Sequence, residues 1–392
     1  MKTPNEILNF AKNHKKDLWY WYLNYRSESF DFQVLNSMKR YEINAALFVS
    51  ISTKYEFCKI LNISDIFLNI SVNYPKYEKF IIPKKRNGNR EIYAPNCYLK
   101  AAQAKLSYFL QAYYECIRPR ESYGFVLNIN KIKGFCNIAE NAKQHVGKKY
   151  LLNIDLKDFF SNISGKQVYD FFSSSYFNFP KPIVMAMTLF IIFEGKLPTG
   201  APTSPVISNL ICLELDTVLS RYSSENEMTY SRYADDLSFS SDSYFTEEKV
   251  SKLISLIESK GFIVNNKKVY QKAKYQKQVV TGLVVNEKVN IDRKLLKKIR
   301  AMLHDLEMNG IENAAKKHLV SSYKSCTSQS QFLNRLEGYI NFVGQIRGKE
   351  DVLFLKMKSI FEFLKKKQDH QLTTDNRQSA INNQQPTTNF KC

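Results

Sequence analysis

The chain has 392 residues, 44% hydrophobic and 14% aromatic, which argues against a disordered polypeptide and allows more than one packed unit. Its formal net charge of +20 points to a polyanionic partner, nucleic acid before any other. Its cysteines (Cys58, Cys97, Cys116, Cys136, Cys212, Cys326 and Cys392) are scattered without a CxxC pair, against both a disulfide scaffold and a zinc site.

The N-terminal stretch MKTPNEILNFAKNHKKDL lacks an apolar h-region, so no secretory signal is expected. Residues 1–75 are aromatic-rich and helical in pattern. YEKFIIPKKRNGNREIYAP follows as two strand-like runs around Asn87-Gly88, a strong hairpin signal. YLKAAQAKLSYFLQAYYECI reads as a helix. KYLLNIDLKDFF opens as a buried strand over Tyr150 to Ile154. The longest apolar run, IVMAMTLFIIF at 183–193, is too short to span a bilayer and reads as a buried helix. No membrane partner is expected, and the protein is expected in the cytoplasm.

KLPTGAPTSPVISNLICLELDTVL holds a Pro/Gly loop and then a helix, with Ser204 suited to cap it and Pro205 to its first position. YSRYADDLSFSS is a second hairpin candidate. From about residue 287 the pattern is helical and basic. RKLLKKIRAMLHDL sets Leu295, Ile299, Met302 and Leu306 on one face, with Lys294, Lys297, Lys298 and Arg300 elsewhere. The end, HQLTTDNRQSAINNQQPTTNFKC, is polar and is expected to be disordered. The expected organisation is an N-terminal helical region (1–75), a central domain (76–286), a basic helical domain (287–368) and a tail (369–392).

Asp235 and Asp236 stand side by side, and holding both ionised is costly unless a cation is close. Asp155, at the end of an apolar strand, supplies a third carboxylate if both strands share a sheet. Three such oxygen donors suit Mg²⁺, and two ions so held can clamp both oxygens of an in-line phosphoryl transfer. Alone, Asp235-Asp236 could equally be a solvated turn.

Tyr-Ala-Asp-Asp between apolar residues resembles the catalytic hairpin of reverse transcriptases. NREIYAP, NIDLKDFF, LPTGAPTSPVISNL, GFIVNNKK and a basic helical end resemble the other blocks of that family, in its order, over residues 75–350. The resemblance implies an α+β, right-hand polymerase fold: fingers, a palm of antiparallel sheet plus helices, and a helical thumb. It also implies a two-metal Mg²⁺ site on Asp155, Asp235 and Asp236, with Asp236 the least direct ligand. Arg90 resembles the fingers arginine that grips the triphosphate of a dNTP, a task that suits its planar fork. Phe160 resembles the aromatic gate that excludes a ribose 2′-hydroxyl. Lys268 resembles the lysine near the leaving pyrophosphate, with Lys267 an alternative register. Thr199, Gly200 and Ala201 would lie under the template and incoming base, although many relatives carry glutamine where Thr199 stands.

Asn141-Ala142-Lys143-Gln144-His145 and Val280-Thr281-Gly282 resemble the NAxxH and VTG signatures of bacterial retron reverse transcriptases. After Gly124-Phe125 the sequence departs from that pattern. The resemblance assigns Asn141, His145, Val280, Thr281 and Gly282 to RNA binding. It implies a cognate structured non-coding RNA, priming from an internal guanosine 2′-hydroxyl, and a branched, multicopy single-stranded DNA product. It further implies antiphage defence with a separate effector protein. Two other readings stay open: a group II intron maturase or diversity-generating enzyme, and a non-catalytic RNA-binding scaffold. A maturase would carry further regions after the thumb, and a scaffold would be expected to have lost a carboxylate.

Overall fold

The computed structural model describes residues 3–24, 35, 38–83, 88–128, 135–319 and 325–382, with backbone only for 325–328 and 368–382. They fall into two compact units, Met1–Thr281 and Gly282–Cys392. The division comes ahead of the boundary expected at 286. Ile291 lies in the second unit's core, and Asn290 Oδ1 accepts from Arg347 Nη1 at 2.8 Å, which binds this connection to the later helices.

In the first unit, helices Pro4–Asn13, Lys15–Asn24, Arg40–Val49, Lys54–Leu61 and Asp65–Asn73 come first. Local chemistry starts several of them. Thr3 with Glu6, and Thr53 with Glu56, form reciprocal capping boxes that satisfy amide groups the first turn leaves free. Residues Ile43 to Val49 are all buried, so that helix is enclosed by its neighbours. Its Phe48 ring lies 6.4 Å from Tyr113 on the long helix Cys97–Ile117, and Asn44 Nδ2 donates to Tyr108 Oη at 3.0 Å.

Strands β1 (Tyr77–Pro83) and β2 (Asn89–Pro95) pair antiparallel. Pro83 faces Asn89, so the connection spans residues 84–88 rather than a two-residue turn on Asn87-Gly88. Asn87 lies outside the described residues; Gly88 adopts φ +99°, a conformation glycine takes without strain. The central sheet comprises β3 (Tyr150–Asp155), β4 (Thr229–Tyr233), β5 (Asp236–Ser241) and β6 (Tyr270–Ala273), all antiparallel, in the order β4-β5-β3-β6.

Alternation divides the sheet's faces. Leu152, Ile154, Leu237, Phe239 and Tyr230 join the core, with Tyr230 stacked on Phe239 at 5.0 Å. Asn153, Asp155, Asp236, Ser238 and Ser231 occupy the other face, as their register requires.

The apolar run at 183–193 forms helix Lys181–Ile191, mostly buried. The next helix begins at Ser204, one residue earlier than expected. Thr203 precedes it without a capping bond, Ser204 Oγ instead donates to Pro198 O at 2.6 Å, and Pro205 falls at the second position, where a missing N–H is equally harmless.

The second unit holds helices Arg293–His318, Ser325–Arg347 and Val352–Asn382 around Ile299, Met302, Leu306, Phe332, Leu336, Ile340 and Phe361. The first bends at Gly310 (φ +70°), where Asp305 accepts from Lys317 at 2.9 Å and pairs with His318 at 2.7 Å across the bend. The last helix continues to Asn382, past residue 369 where a disordered tail is expected. HQLTTDNRQSAIN contains no proline or glycine to stop it, and propagating an existing helix avoids the cost of nucleation. Among the described residues no helix is long and apolar enough to cross a membrane.

Candidate active site

The β4–β5 hairpin closes through Ala234 and Asp235, with Tyr233 opposite Asp236. Ala234 takes φ +58°, a costly conformation for a residue with a Cβ, and its surroundings hold it there. Leu156 N donates to Asp235 O at 3.0 Å, tying the turn to the end of β3. Arg232 Nη1 reaches Ala234 O at 3.3 Å from the core side. Gly124 packs so tightly here that a Cβ on it would lie 2.4 Å from Ala234 N.

Asp155 is the register partner of Asp236, which sets the two carboxylates side by side on one face. Asp155 Oδ1 accepts from Lys268 Nζ at 2.8 Å, and its Oδ2 from Asn265 Nδ2 at 3.1 Å. The 3₁₀ turn Asn266–Lys268 thus selects Lys268, not Lys267, as the lysine facing the carboxylates. Its bond to Asp155 raises the Lys268 pKa and keeps the ammonium charged.

Burial, then repulsion from Asp155, raises Asp235 above the usual carboxylate range, while Lys268 and Arg90 oppose the rise. Burial, then Asp235 and Asp155, pushes Asp236 up to about 6, although its side chain still reaches solvent. The three groups therefore feel one another as like charges short of cations. Among the described residues, no three His, Cys, Asp or Glu side chains converge closely enough to hold an ion as they stand, since Asp155 is turned to Lys268. The donor set itself, hard oxygens under mutual repulsion, fits a divalent cation.

A cleft of about 760 Å³ opens above these groups, lined by Arg90, Asp155, Phe160, Thr199, Asp235 and Lys268, with Phe125 and Asn265 among the other walls. Six residues singled out along the sequence thus share one cavity. Phe160 is half-buried, its ring 5.8 Å from Phe125; Phe159 beside it is buried in the core against Phe262. Thr199 Oγ1 donates to Glu91 O at 2.8 Å and accepts from Tyr93 N at 3.4 Å. A Cβ on Gly200 would meet Tyr93 O at 2.6 Å, so glycine permits that close approach to β2. Thr199 therefore holds the strand that carries Arg90, a task that suits its short hydroxyl.

Three of the five residues assigned to RNA binding lie in the interior. Asn141, His145 and Val280 are at most 1% exposed. Both His145 ring nitrogens are engaged, Nδ1 with Ser240 Oγ and Nε2 with Ser231 Oγ, each at 2.7 Å. Thr281 spends its hydroxyl on Ile138 O at 3.1 Å, which joins the two signature segments to each other. Gly282 is exposed, with φ +85°. The assignment is corrected for the buried three: a segment placed against a catalytic sheet can be a family signature because it packs there.

Sequence reasoning missed Asn265, whose signal was its place in NNKK, and the pair Arg232–Asp216, which left no local signal.

Residues 82–285 match the family model described as reverse transcriptase (RNA-dependent DNA polymerase). The retron Ec86 reverse transcriptase of Escherichia coli is 36% identical over 229 residues, covering 57% of this chain and 67% of that protein. The retron Mx65 reverse transcriptase of Myxococcus xanthus is 31% identical over 260 residues, covering 62% and 59%. Among solved structures, telomerase from Candida albicans in complex with a TWJ fragment of telomeric RNA aligns with TM-score 0.41 at 11% identity, covering 79% and 68%, too loose a likeness to add to the assignment. With more than half its length inside the family model and both of these relatives retron enzymes, the chain belongs to the reverse transcriptases, RNA-directed DNA polymerases of right-hand fold, and among them to the bacterial retron group.

Proposed function

We propose that the chain binds a dedicated structured RNA, starts DNA synthesis from the 2′-hydroxyl of an internal guanosine, and copies part of that RNA into multicopy single-stranded DNA. The observation that carries this reading is the pairing of Asp155 with Asp236 across β3 and β5, with Asp235 lining the same cleft as Lys268 and Arg90. Asp155, Asp235 and Asp236 would hold two Mg²⁺ ions, which when bound lower the pKa of the attacking hydroxyl and neutralise charge on the α-phosphate. Asp155 exchanges its bond with Lys268 for that role, and the freed ammonium is left to meet the leaving pyrophosphate. Arg90, on the strand fixed by Thr199, presents its planar fork to the triphosphate. The resemblance to retron enzymes extends the proposal to phage defence with a separate effector protein in the cytoplasm.

Nucleic acid co-purified with the protein tests the product. On a denaturing gel, a DNA band that shortens after RNase but survives is expected, as a covalent RNA–DNA branch requires. RNA alone, or nothing, would overturn the priming scheme.

Phe160 supplies a second expected result. Removing its ring in Phe160→Ala opens space beside the sugar, and discrimination between dNTP and rNTP is expected to fall by about 10- to 100-fold, the scale of one steric contact. Single-nucleotide incorporation with each substrate measures this, and an unchanged ratio would place the gate elsewhere.

Asp236 gives a pH dependence. It holds its proton up to about 6, against a usual 3.8, so between those values the cation-free fold binds more protons than the unfolded chain. Stability without cations therefore falls as pH rises through that window. A cation must displace this proton, so binding weakens as pH drops below about 6. Mn²⁺ titration followed by electron paramagnetic resonance is expected to give weaker binding at pH 5 than at pH 8. Equal affinities would remove Asp236 from the ligand set.

A further inference from the structure

β4 ladders with β5 along one side, and on its other side it is held only by a bridge at Arg232, whose N–H donates to Glu121 O at 2.8 Å and whose O accepts from Tyr123 N at 2.9 Å. The turn joining them contains Ala234 in a strained conformation. Two adjacent strands held by one short ladder can shear or twist, and any such motion changes where the turn sets its carboxylates against Asp155. The bonds from Leu156 and Arg232 hold the turn itself, and the strands behind it need a tie of their own.

His145 is fully buried on the sheet face that carries Asp236. Period-two alternation places Asp236, Ser238 and Ser240 on that face of β5, with Ser231 and Tyr233 of β4 beside them. The imidazole bridges the strands, contacting Ser231 Oγ on β4 and Ser240 Oγ on β5. Burial pushes its pKa down to about 3, so the ring stays neutral, with one nitrogen donating and the other accepting. Each serine hydroxyl can rotate to complement either tautomer.

The next polar layer lies between this bridge and the aspartates. Asn153 Nδ2 on β3 reaches Ser238 Oγ at 3.3 Å and Val279 O at 3.4 Å. Thr281, two residues on, bonds back to Ile138 at the head of the helix Ile138–Lys143 that leads to His145. The segment 138–145, bonded to β4 and β5, and the segment 279–281, bonded to β3, thus brace each other.

We infer that His145 is a positioning residue: it ties β4 to β5 and fixes where the hairpin presents Asp235 and Asp236 to Asp155, so its segment serves catalysis through the hairpin and not by touching RNA. This rests on the reading of the three aspartates as the catalytic carboxylates.

The test compares His145→Phe, which keeps the ring and removes both bonds, with His145→Gln, which keeps a donor and an acceptor. Primer extension on an RNA template with a DNA primer gives rate and dNTP KM, Mn²⁺ titration gives cation affinity, and filter binding gives affinity for that duplex. In His145→Phe the extension rate is expected to fall about 10- to 100-fold and Mn²⁺ affinity to weaken by about 10-fold, typical of losing a group that orients metal ligands. The dNTP KM and duplex affinity are expected to stay within about twofold, and His145→Gln to recover most of the rate. A folded His145→Phe with wild-type rate and Mn²⁺ affinity would overturn the inference. So would a duplex affinity at least 10-fold weaker at an unchanged rate, which would make the residue a nucleic-acid contact. Should His145→Phe fail to fold, Ser231→Ala and Ser240→Ala, each removing one hydroxyl, carry the test; smaller losses of the same kind support the inference, and wild-type values in both refute it. Asp235→Asn/Asp236→Asn run alongside separates the premise, since Mn²⁺ binding and extension surviving in that protein would refute the reading of the carboxylates, whatever His145 does.

Discussion

Replacing Asp235 and Asp236 together by asparagine is expected to abolish DNA synthesis, a loss of at least about 1,000-fold, while the folded protein keeps its affinity for primer–template duplex within a few-fold. Asparagine keeps the shape of each side chain and removes the charge, so the hairpin register opposite β3 has no reason to change. Divalent cations stabilise the developing charge by several kcal/mol, and each 1.36 kcal/mol withdrawn slows the step about tenfold. A second consequence has the opposite sign. Asp235 and Asp236 are both raised in pKa, first by burial and then by neighbouring carboxylates. Neutralising them relieves that cost, so without cations the double variant is expected to melt at a higher temperature than the parent at pH 8. The parent gains stability from Mg²⁺ and the variant does not. Primer extension and thermal melting with and without Mg²⁺ check both halves. Wild-type-like synthesis would remove the hairpin from the chemistry.

The carboxylates were legible in the sequence because each part of their placement is local. Alternation in KYLLNID and in DLSFSS dictates which face each residue takes, and a two-residue loop sets Asp236 opposite Tyr233. Strand β3, the apolar helix at 181–191 and the basic helical region were readable for the same reason, since periodicity is a property of neighbouring residues. The rest depends on contacts between distant segments. Thr199 holds β2 through partners more than a hundred positions away, and nothing beside it in LPTG announces this. His145 looks like a ligand or an RNA contact until Ser231 and Ser240 are seen on either side of its ring. The terminal helix misled in the other direction: polar composition predicts solvent exposure, and a helix already nucleated by apolar residues can continue into such sequence.

Arg232 shows most plainly what the sequence conceals. Beside Tyr233 in a basic protein it reads as one more surface charge, yet it is 0% exposed, as is its partner Asp216. Its Nε and Nη2 donate to the two Asp216 oxygens at 2.7 and 2.6 Å, Nη1 to Asn209 Oδ1 at 2.9 Å, and Nη2 also to Ser122 Oγ at 3.2 Å. Tyr230 Oη adds a bond to Asp216 at 2.8 Å. Breaking such a pair from one side leaves a charge buried and uncompensated, so Arg232→Met is expected to lose about 3–5 kcal/mol of stability. That is a large share of the roughly 5–15 kcal/mol typical of a folded domain.

Arg232→Met with Asp216→Leu removes both charges together, and the double variant is expected to recover much of that loss, because an apolar pair of similar volume often serves a core as well as an ion pair. Activity is expected to behave differently. The bond from Nη1 to Ala234 O at 3.3 Å is absent in both variants, and with it the support of the strained turn that carries Asp235. A displacement on the order of 1 Å at reacting groups costs about 100-fold, so the double variant is expected to be stable and slow. Urea unfolding and primer extension on the same preparations separate the two effects. Recovery of both would make the guanidinium a core element alone. Recovery of stability without rate would mean the ion pair is retained for the geometry of the hairpin, since an apolar pair would have served the core as well.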